Sequence, residues 1–242
     1  MNLTTNKHSP QKQDLENKQS FLDRIKKLDN LTKKERYLIM KAYDISKEAH
    51  GYMKQTRDGG GRYFEHPRAV ALILIDEIGI CTYEEIVSAL LHDVCEDTFI
   101  WDVRFLRHVF GQEVANIVSV LSKPKKIEGD KTEFNQKYFK RIHREGFSTC
   151  LIKIADRVHN LRSMSSWVVP RQEKYIEEVK VYFLDIAAYL MKDQVWEPYF
   201  DKLSLGDEER VCMFDKYENL RKELRSFTRI DFSKEEKVKK PD

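Results

Sequence analysis

Apolar residues return at every third or fourth position along almost the whole of this chain, and turn-forming residues are scarce, with nine glycines and six prolines in 242 residues. A β-sandwich or barrel needs turn chemistry at intervals of roughly 8–12 residues, which so few breakers cannot supply. The pattern therefore predicts an all-α fold. Leu15 to Leu28 and Leu31 to His50 are the first two expected helices, and Arg68 to Ile78 is the third, with Pro67 at its first turn and Gly79 at its end. Thr82 with Glu85 three positions later is a capping-box pattern that places another helix start just before Ile86. Further helices are expected over Ile100 to Phe110, Gln112 to Leu121, Glu133 to Arg144, Ser148 to Met164, Pro170 to about Lys192, and Asp207 to Phe227. Gly59, Gly60 and Gly61 mark a loop between the second and third.

Composition narrows the function classes. A 41% hydrophobic content can fill a sizeable core. Lys and Arg number 43 against 40 Asp and Glu, and this evenly spread net charge of +3 leaves no basic footprint for nucleic acid. The first twenty residues contain no apolar core of a secretory signal, and the longest apolar run is interrupted by Asp76 and Glu77. The expectation is a cytoplasmic protein with no membrane partner. Cys81, Cys95, Cys150 and Cys212 lie far apart and form no zinc-ligand pair, so they read as reduced thiols.

The stretch "HPRAVALILIDEIGICTYEEIVSALLHDVCED", residues 66 to 97, ends by placing His92, Asp93, Glu96 and Asp97 within six positions. On a continuous helix His92 would stack over Glu96 and Asp93 over Asp97. The preceding Ala89, Leu90 and Leu91 are apolar around most of the circumference, which points to a helix inside the domain, where unpaired carboxylates are costly. Downstream, "CLIKIADRVHNLRSM" carries Asp156 and Asn160 four residues apart on another apolar helix, and upstream stands His66. Taken singly, His66 is more simply a residue bordering a helix, and Asp156 a partner for Arg157 or Arg162. Together, two imidazoles and two carboxylates form a mixed nitrogen and oxygen set suited to a divalent manganese, iron or zinc ion. Such a site activates water for phosphoester hydrolysis, with Glu96 and Asp97 one turn along to move protons.

The ordered motifs His50, Arg57 to Gly60, His66-Pro67, "ALLHDVCED" from Ala89 to Asp97 and "ADRVHNLRSM" from Ala155 to Met164 resemble the HD-domain metal-dependent phosphohydrolases, and within them the RelA/SpoT-type alarmone hydrolase domain and its small stand-alone relatives. The resemblance covers about residues 35 to 165. It implies an HD-type helical bundle with additional C-terminal helices. It also implies His66, His92, Asp93 and Asp156 as ligands of one ion, normally Mn2+, and Glu96 with Asp97 as the catalytic acid pair. Arg57, with Asp58 and Gly59 in its loop, would meet the guanine, and Asn160 the ribose or phosphate region. The implied reaction removes the 3′-pyrophosphate of guanosine tetra- or pentaphosphate, giving GDP or GTP and pyrophosphate.

The chain departs from the family where a lysine and a small hydroxyl residue usually follow the arginine: it has Asp58 and Gly59. An anion beside a polyphosphate weakens binding unless a cation compensates, and Lys54, Arg62, Lys123 and Lys153 are the candidates. Hydrolysis of another 3′-phosphorylated or polyphosphorylated nucleotide is the alternative this raises, and a non-catalytic nucleotide sensor is a second. About 80 residues follow the last motif, too few for a synthetase domain, so hydrolysis without synthesis is expected. The organisation read from the sequence is a disordered tail over residues 1–14, the hydrolase domain over 15–195, and a helical C-terminal extension with a frayed end over 196–242.

Overall fold

The computed structural model describes residues 17–52, 61–98, 100–124 and 128–231. The N-terminal tail, the glycine loop with Lys54, Arg57, Asp58 and Gly59, and the end of the C-terminal extension lie outside them. The described residues contain helices and no strand, as the apolar period predicts. Helices α1 (Lys18–Lys26) and α2 (Lys33–Tyr52) precede α3 (Glu65–Leu72), which widens into a π-helical turn over Ile73–Ile78. Then come α4 (Tyr83–Leu91), the short α5 (Val94–Asp97), α6 (Val103–Phe110), α7 (Gln112–Leu121), α8 (Lys131–Glu145) and α9 (Phe147–Ser163). Helix α10 (Val169–Glu178) widens over Val179–Phe183 and continues as α11 (Leu184–Tyr189), followed by α12 (Asp193–Leu203) and α13 (Asp207–Phe227).

Helix α4 lies at the centre, packed against α2, α3, α7 and α9. Its residues from Ile86 to Leu91 are all buried, as expected of a helix apolar on every side. Helix α9 is the second internal helix, touching α3, α4, α7, α8, α11 and α13. His66 on α3, His92 and Asp93 just beyond α4, and Asp156 on α9 therefore lie on or beside the helices at the middle of the bundle. Phe21 of α1 and Leu224 of α13 belong to the same core.

Local side chains set the helix boundaries. Asp102 accepts a hydrogen bond from the Phe105 N–H at 2.8 Å, so α6 begins at Val103 and not at Ile100. Asp130 does the same for Glu133 at 2.7 Å, which starts α8 two residues earlier than the apolar pattern indicates. Gly79 ends the third helical stretch with φ of +92°, a conformation that glycine adopts without strain. The capping box expected at Thr82 does not form: α4 does start at Tyr83, but the Thr82 hydroxyl binds the Glu85 carboxylate instead of the helix backbone. Glu85 accepts a second hydrogen bond from Ser148 of α9 at 2.6 Å, which ties α4 to α9.

Helix α12 is absent from the sequence reading because Pro198 stands inside it, and proline in a helix interior costs about 3 kcal/mol. Packing offsets that cost. Val195, Trp196, Tyr199 and Phe200 are buried at helical spacing, and the Trp196 indole donates to the Leu190 carbonyl at 2.6 Å. Phe147, Tyr199, Phe200, Phe214 and Tyr217 surround the Trp196 ring. We expect Trp196→Ala to cost about 3–5 kcal/mol. In a thermal melt this should appear as a midpoint lowered by roughly 6–20 °C. A shift of a degree or two would show that α12 is peripheral to the fold.

Candidate metal centre

Three elements deliver the expected ligand set to one point. His66 lies in the first turn of α3, and Asp156 lies midway along α9, each almost fully buried. His92 and Asp93 do not continue α4 as the sequence suggests. The helix ends at Leu91, the chain turns through His92 and Asp93, and α5 starts at Val94. Both residues keep right-handed helical backbone angles through this break, and their side chains approach to 3.1 Å.

The geometry is close. His66 Nε2 lies 3.1 Å from Asp156 Oδ1 and 3.5 Å from Asp93 Oδ2, and His92 Nε2 lies 3.1 Å from Asp93 Oδ2. Ligand atoms of His66, His92 and Asp156 all fall within 4.8 Å of one another. Each of the four residues is held from behind. The His92 Nδ1–H donates to the Ala89 carbonyl at 2.8 Å, and the Tyr63 hydroxyl donates to Asp93 Oδ2 at 3.0 Å. Asp156 accepts from Asn160 Nδ2 at 2.7 Å and from Lys153 Nζ at 2.8 Å, while His66 Nδ1 lies 2.8 Å from His159 Nδ1. Arg157 instead pairs with Glu178 at 3.1 Å, and Arg162 with Glu77 and Glu223 at 2.7 and 2.6 Å.

Electrostatics show what the cluster requires. Burial opposes charge on His92, but the Asp93 carboxylate outweighs burial and lifts its pKa to about 9. At His66 burial wins, and its pKa falls below the usual imidazole value. Burial also opposes charge on Asp93 and Asp156, yet His92 in the first case and Lys153 in the second keep them below the ordinary carboxylate range. A buried carboxylate, Asp156, and a part-buried one, Asp93, thus flank the imidazoles at a point that calls for positive charge. His92 Nε2, fully buried, makes no hydrogen bond there. A divalent cation fits this donor set: it supplies the missing charge with both imidazoles neutral and gives His92 Nε2 a partner.

Glu96 and Asp97 follow on α5. Glu96 accepts the Lys123 backbone N–H at 2.9 Å, and burial followed by the Asp93 charge raises its pKa. The same two causes raise Asp97 to about 7. Asp97 Oδ2 stands 3.9 Å from Nδ1 of His50, whose ring packs on Tyr63. Lys153, expected to serve a phosphate, is committed to Asp156, and Lys123 and Lys153 both lie over the Tyr138 ring. Arg57, Asp58 and Gly59 lie outside the described residues. Sequence reasoning missed Tyr63 and His159: His159 carries a signal, since it follows Asp156 by three residues on α9 and shares its helical face, whereas Tyr63 lies in the turn before α3.

Comparison with known proteins agrees with the geometry. A family model described as an HD domain matches residues 42–190. The bifunctional (p)ppGpp synthase/hydrolase SpoT of Escherichia coli strain K12 is 33% identical over 153 residues, 62% of this chain and 21% of its own length. The guanosine-3′,5′-bis(diphosphate) 3′-pyrophosphohydrolase of Aquifex aeolicus is 32% identical over 199 residues, 78% of this chain and 27% of its own. The chain thus spans about a fifth to a quarter of the length of these curated relatives. A solved structure of a metazoan SpoT ortholog, described as hydrolysing ppGpp, superposes with a TM-score of 0.58 at 21% identity, covering 82% of this chain and 95% of that one. At that identity the match speaks for the fold. No helix among the described residues is long and apolar enough to cross a membrane.

Proposed function

As the chain belongs to the HD-domain family, we propose that it is a manganese-dependent hydrolase that removes the 3′-pyrophosphate from guanosine tetra- and pentaphosphate. The observation that carries this reading is the convergence of His66, His92, Asp93 and Asp156. The names borne by the E. coli and Aquifex relatives support the substrate. The mixed oxygen and imidazole set admits manganese, iron or zinc, and the choice of Mn2+ rests on the resemblance to the family. When bound, the ion lowers the pKa of a water and neutralises charge on the phosphoryl oxygens.

The reaction adds water across the bond between the ribose 3′-oxygen and the first phosphorus of the diphosphate. Water oxygen bonds to phosphorus, the phosphorus to 3′-oxygen bond breaks, and GDP or GTP leaves with pyrophosphate. Glu96 and Asp97 take the proton from the water and return one to the 3′-oxygen; both are part-buried one turn beyond Asp93, with raised affinity for protons. His66, His92, Asp93 and Asp156 hold the ion. Lys153 keeps the Asp156 carboxylate oriented through their 2.8 Å contact and brings positive charge to the pyrophosphate side, and Asn160, bonded to Asp156, faces the ribose or phosphate region. Arg57, within the loop that includes Asp58 and Gly59, contacts the guanine.

Purified protein incubated with Mn2+ and guanosine tetraphosphate should release pyrophosphate and GDP in equal amounts. Chelation should abolish release, and added Mn2+ should restore it. No release across physiological pH would overturn the proposal. Asp58 favours a second reading, in which the same chemistry acts on another 3′-phosphorylated nucleotide. A panel of such nucleotides in the same assay separates the two by relative kcat/KM.

A further inference from the structure

A ligand histidine faces a second buried histidine that is not a ligand. His66 Nδ1 lies 2.8 Å from Nδ1 of His159, and the two residues are 2% and 6% exposed. Imidazole nitrogens at that separation share one hydrogen, so one donates while the other accepts with its lone pair. The remaining nitrogen of His66, Nε2, is the one directed at Asp156 and Asp93. A nitrogen that ligates an ion must itself present a lone pair, which leaves the His66 hydrogen on Nδ1. His159 Nδ1 must then be the acceptor.

We infer that His159 is a positioning residue: its Nδ1 lone pair holds His66 in the Nδ1–H tautomer and thereby sets the affinity of the centre for its divalent ion. The inference rests on the metal-centre reading above. Helix α9 serves the site twice within one turn, through Asp156 as a ligand and through His159 as the fixing partner of a ligand from α3. His92 is fixed differently. Its Nδ1 bonds the Ala89 carbonyl, a backbone group that no side-chain substitution removes. The orientation of His66 depends on a side chain and is open to test. Outer partners of this kind typically change metal affinity 10- to 100-fold when removed.

The experiment uses the full chain, stripped of metal, with Mn2+ affinity measured by competition against a fluorescent chelator and the metal-free unfolding midpoint measured alongside. His159→Phe keeps a ring but has no acceptor, His159→Asn places an amide oxygen near the Nδ1 position, and His159→Gln places one farther out. We expect Phe and Gln to weaken Mn2+ binding by about 10- to 100-fold and Asn to restore most of the loss. Wild-type affinity in a folded His159→Phe, or equal affinities for Asn and Gln, would overturn the inference. Should His159→Phe fail to fold, the contrast between Asn and Gln decides alone. Failure of wild type to bind Mn2+ would instead sink the metal-centre reading, which keeps the two outcomes apart.

Discussion

Replacing His92 with alanine is expected to yield a folded protein that no longer retains a divalent ion and that hydrolyses guanosine tetraphosphate at least about 10^3-fold more slowly. The expectation follows from where His92 sits. The turn after α4 aims Nε2 to within 3.1 Å of Asp93, and the Ala89 carbonyl fixes the ring from its other nitrogen. Among the described residues the other imidazole beside Asp93 is His66, whose Nε2 lies farther off at 3.5 Å and already faces Asp156. Without His92 the two carboxylates have one fewer neutralising group, and an ion would lose a nitrogen ligand. The loss of several kcal/mol of transition-state stabilisation normally supplied by such an ion sets the magnitude. Metal content after dialysis, the far-ultraviolet circular dichroism spectrum and the steady-state rate together check it. A folded His92→Ala protein with full metal content and an undiminished rate would contradict the proposed ligand set.

Asp97→Asn should act in the opposite way, sparing the ion and removing the chemistry. The residue lies on α5, a turn beyond Asp93, with His50 as its nearest imidazole at 3.9 Å. Burial and the Asp93 charge raise its carboxyl to about 7, so it exchanges a proton close to neutrality, which suits a general base. An amide of the same shape cannot. We expect kcat to fall by about 10^2- to 10^4-fold while Mn2+ affinity stays near that of wild type. A base must be deprotonated to work, so wild-type kcat/KM should decline as pH falls through the Asp97 pKa, and that limb should be missing from Asp97→Asn. Retained activity with an unchanged profile would assign proton transfer to Glu96 or another group.

The fold was largely legible because helices with an apolar face announce themselves through a period near 3.6. Helices α2, α7, α9 and α13 lie within two residues of the ranges Leu31 to His50, Gln112 to Leu121, Ser148 to Met164 and Asp207 to Phe227 expected for them. The exceptions have local causes. Pro198 masks α12, whose stability comes from the aromatic cluster around Trp196, a tertiary effect that propensity does not carry. The break at His92 was hidden because "ALLHDVCED" contains neither glycine nor proline and both His92 and Asp93 keep right-handed helical angles.

At the site, the residue types and their order pointed to His66, His92, Asp93 and Asp156, and the structure brings them together. What surrounds them was less visible. Tyr63, in the turn before α3, and His159, on α9, matter through their contacts with Asp93 and His66, and which residues they meet follows from packing between elements. Lys153 could be recognised as a cation near the site, but not as the partner of Asp156. A lysine three residues before an aspartate on a helix is common on surfaces, and only the low exposure of both side chains, 12% and 9%, gives the pair its weight.

The central claim is that these four side chains hold one ion. Crystals grown with Mn2+ and measured at the manganese absorption edge test it most directly. The account predicts one anomalous peak within about 2.0–2.3 Å of His66 Nε2, His92 Nε2 and an oxygen of each of Asp93 and Asp156. A peak elsewhere in the protein, or one that leaves any of the four unligated, would contradict it.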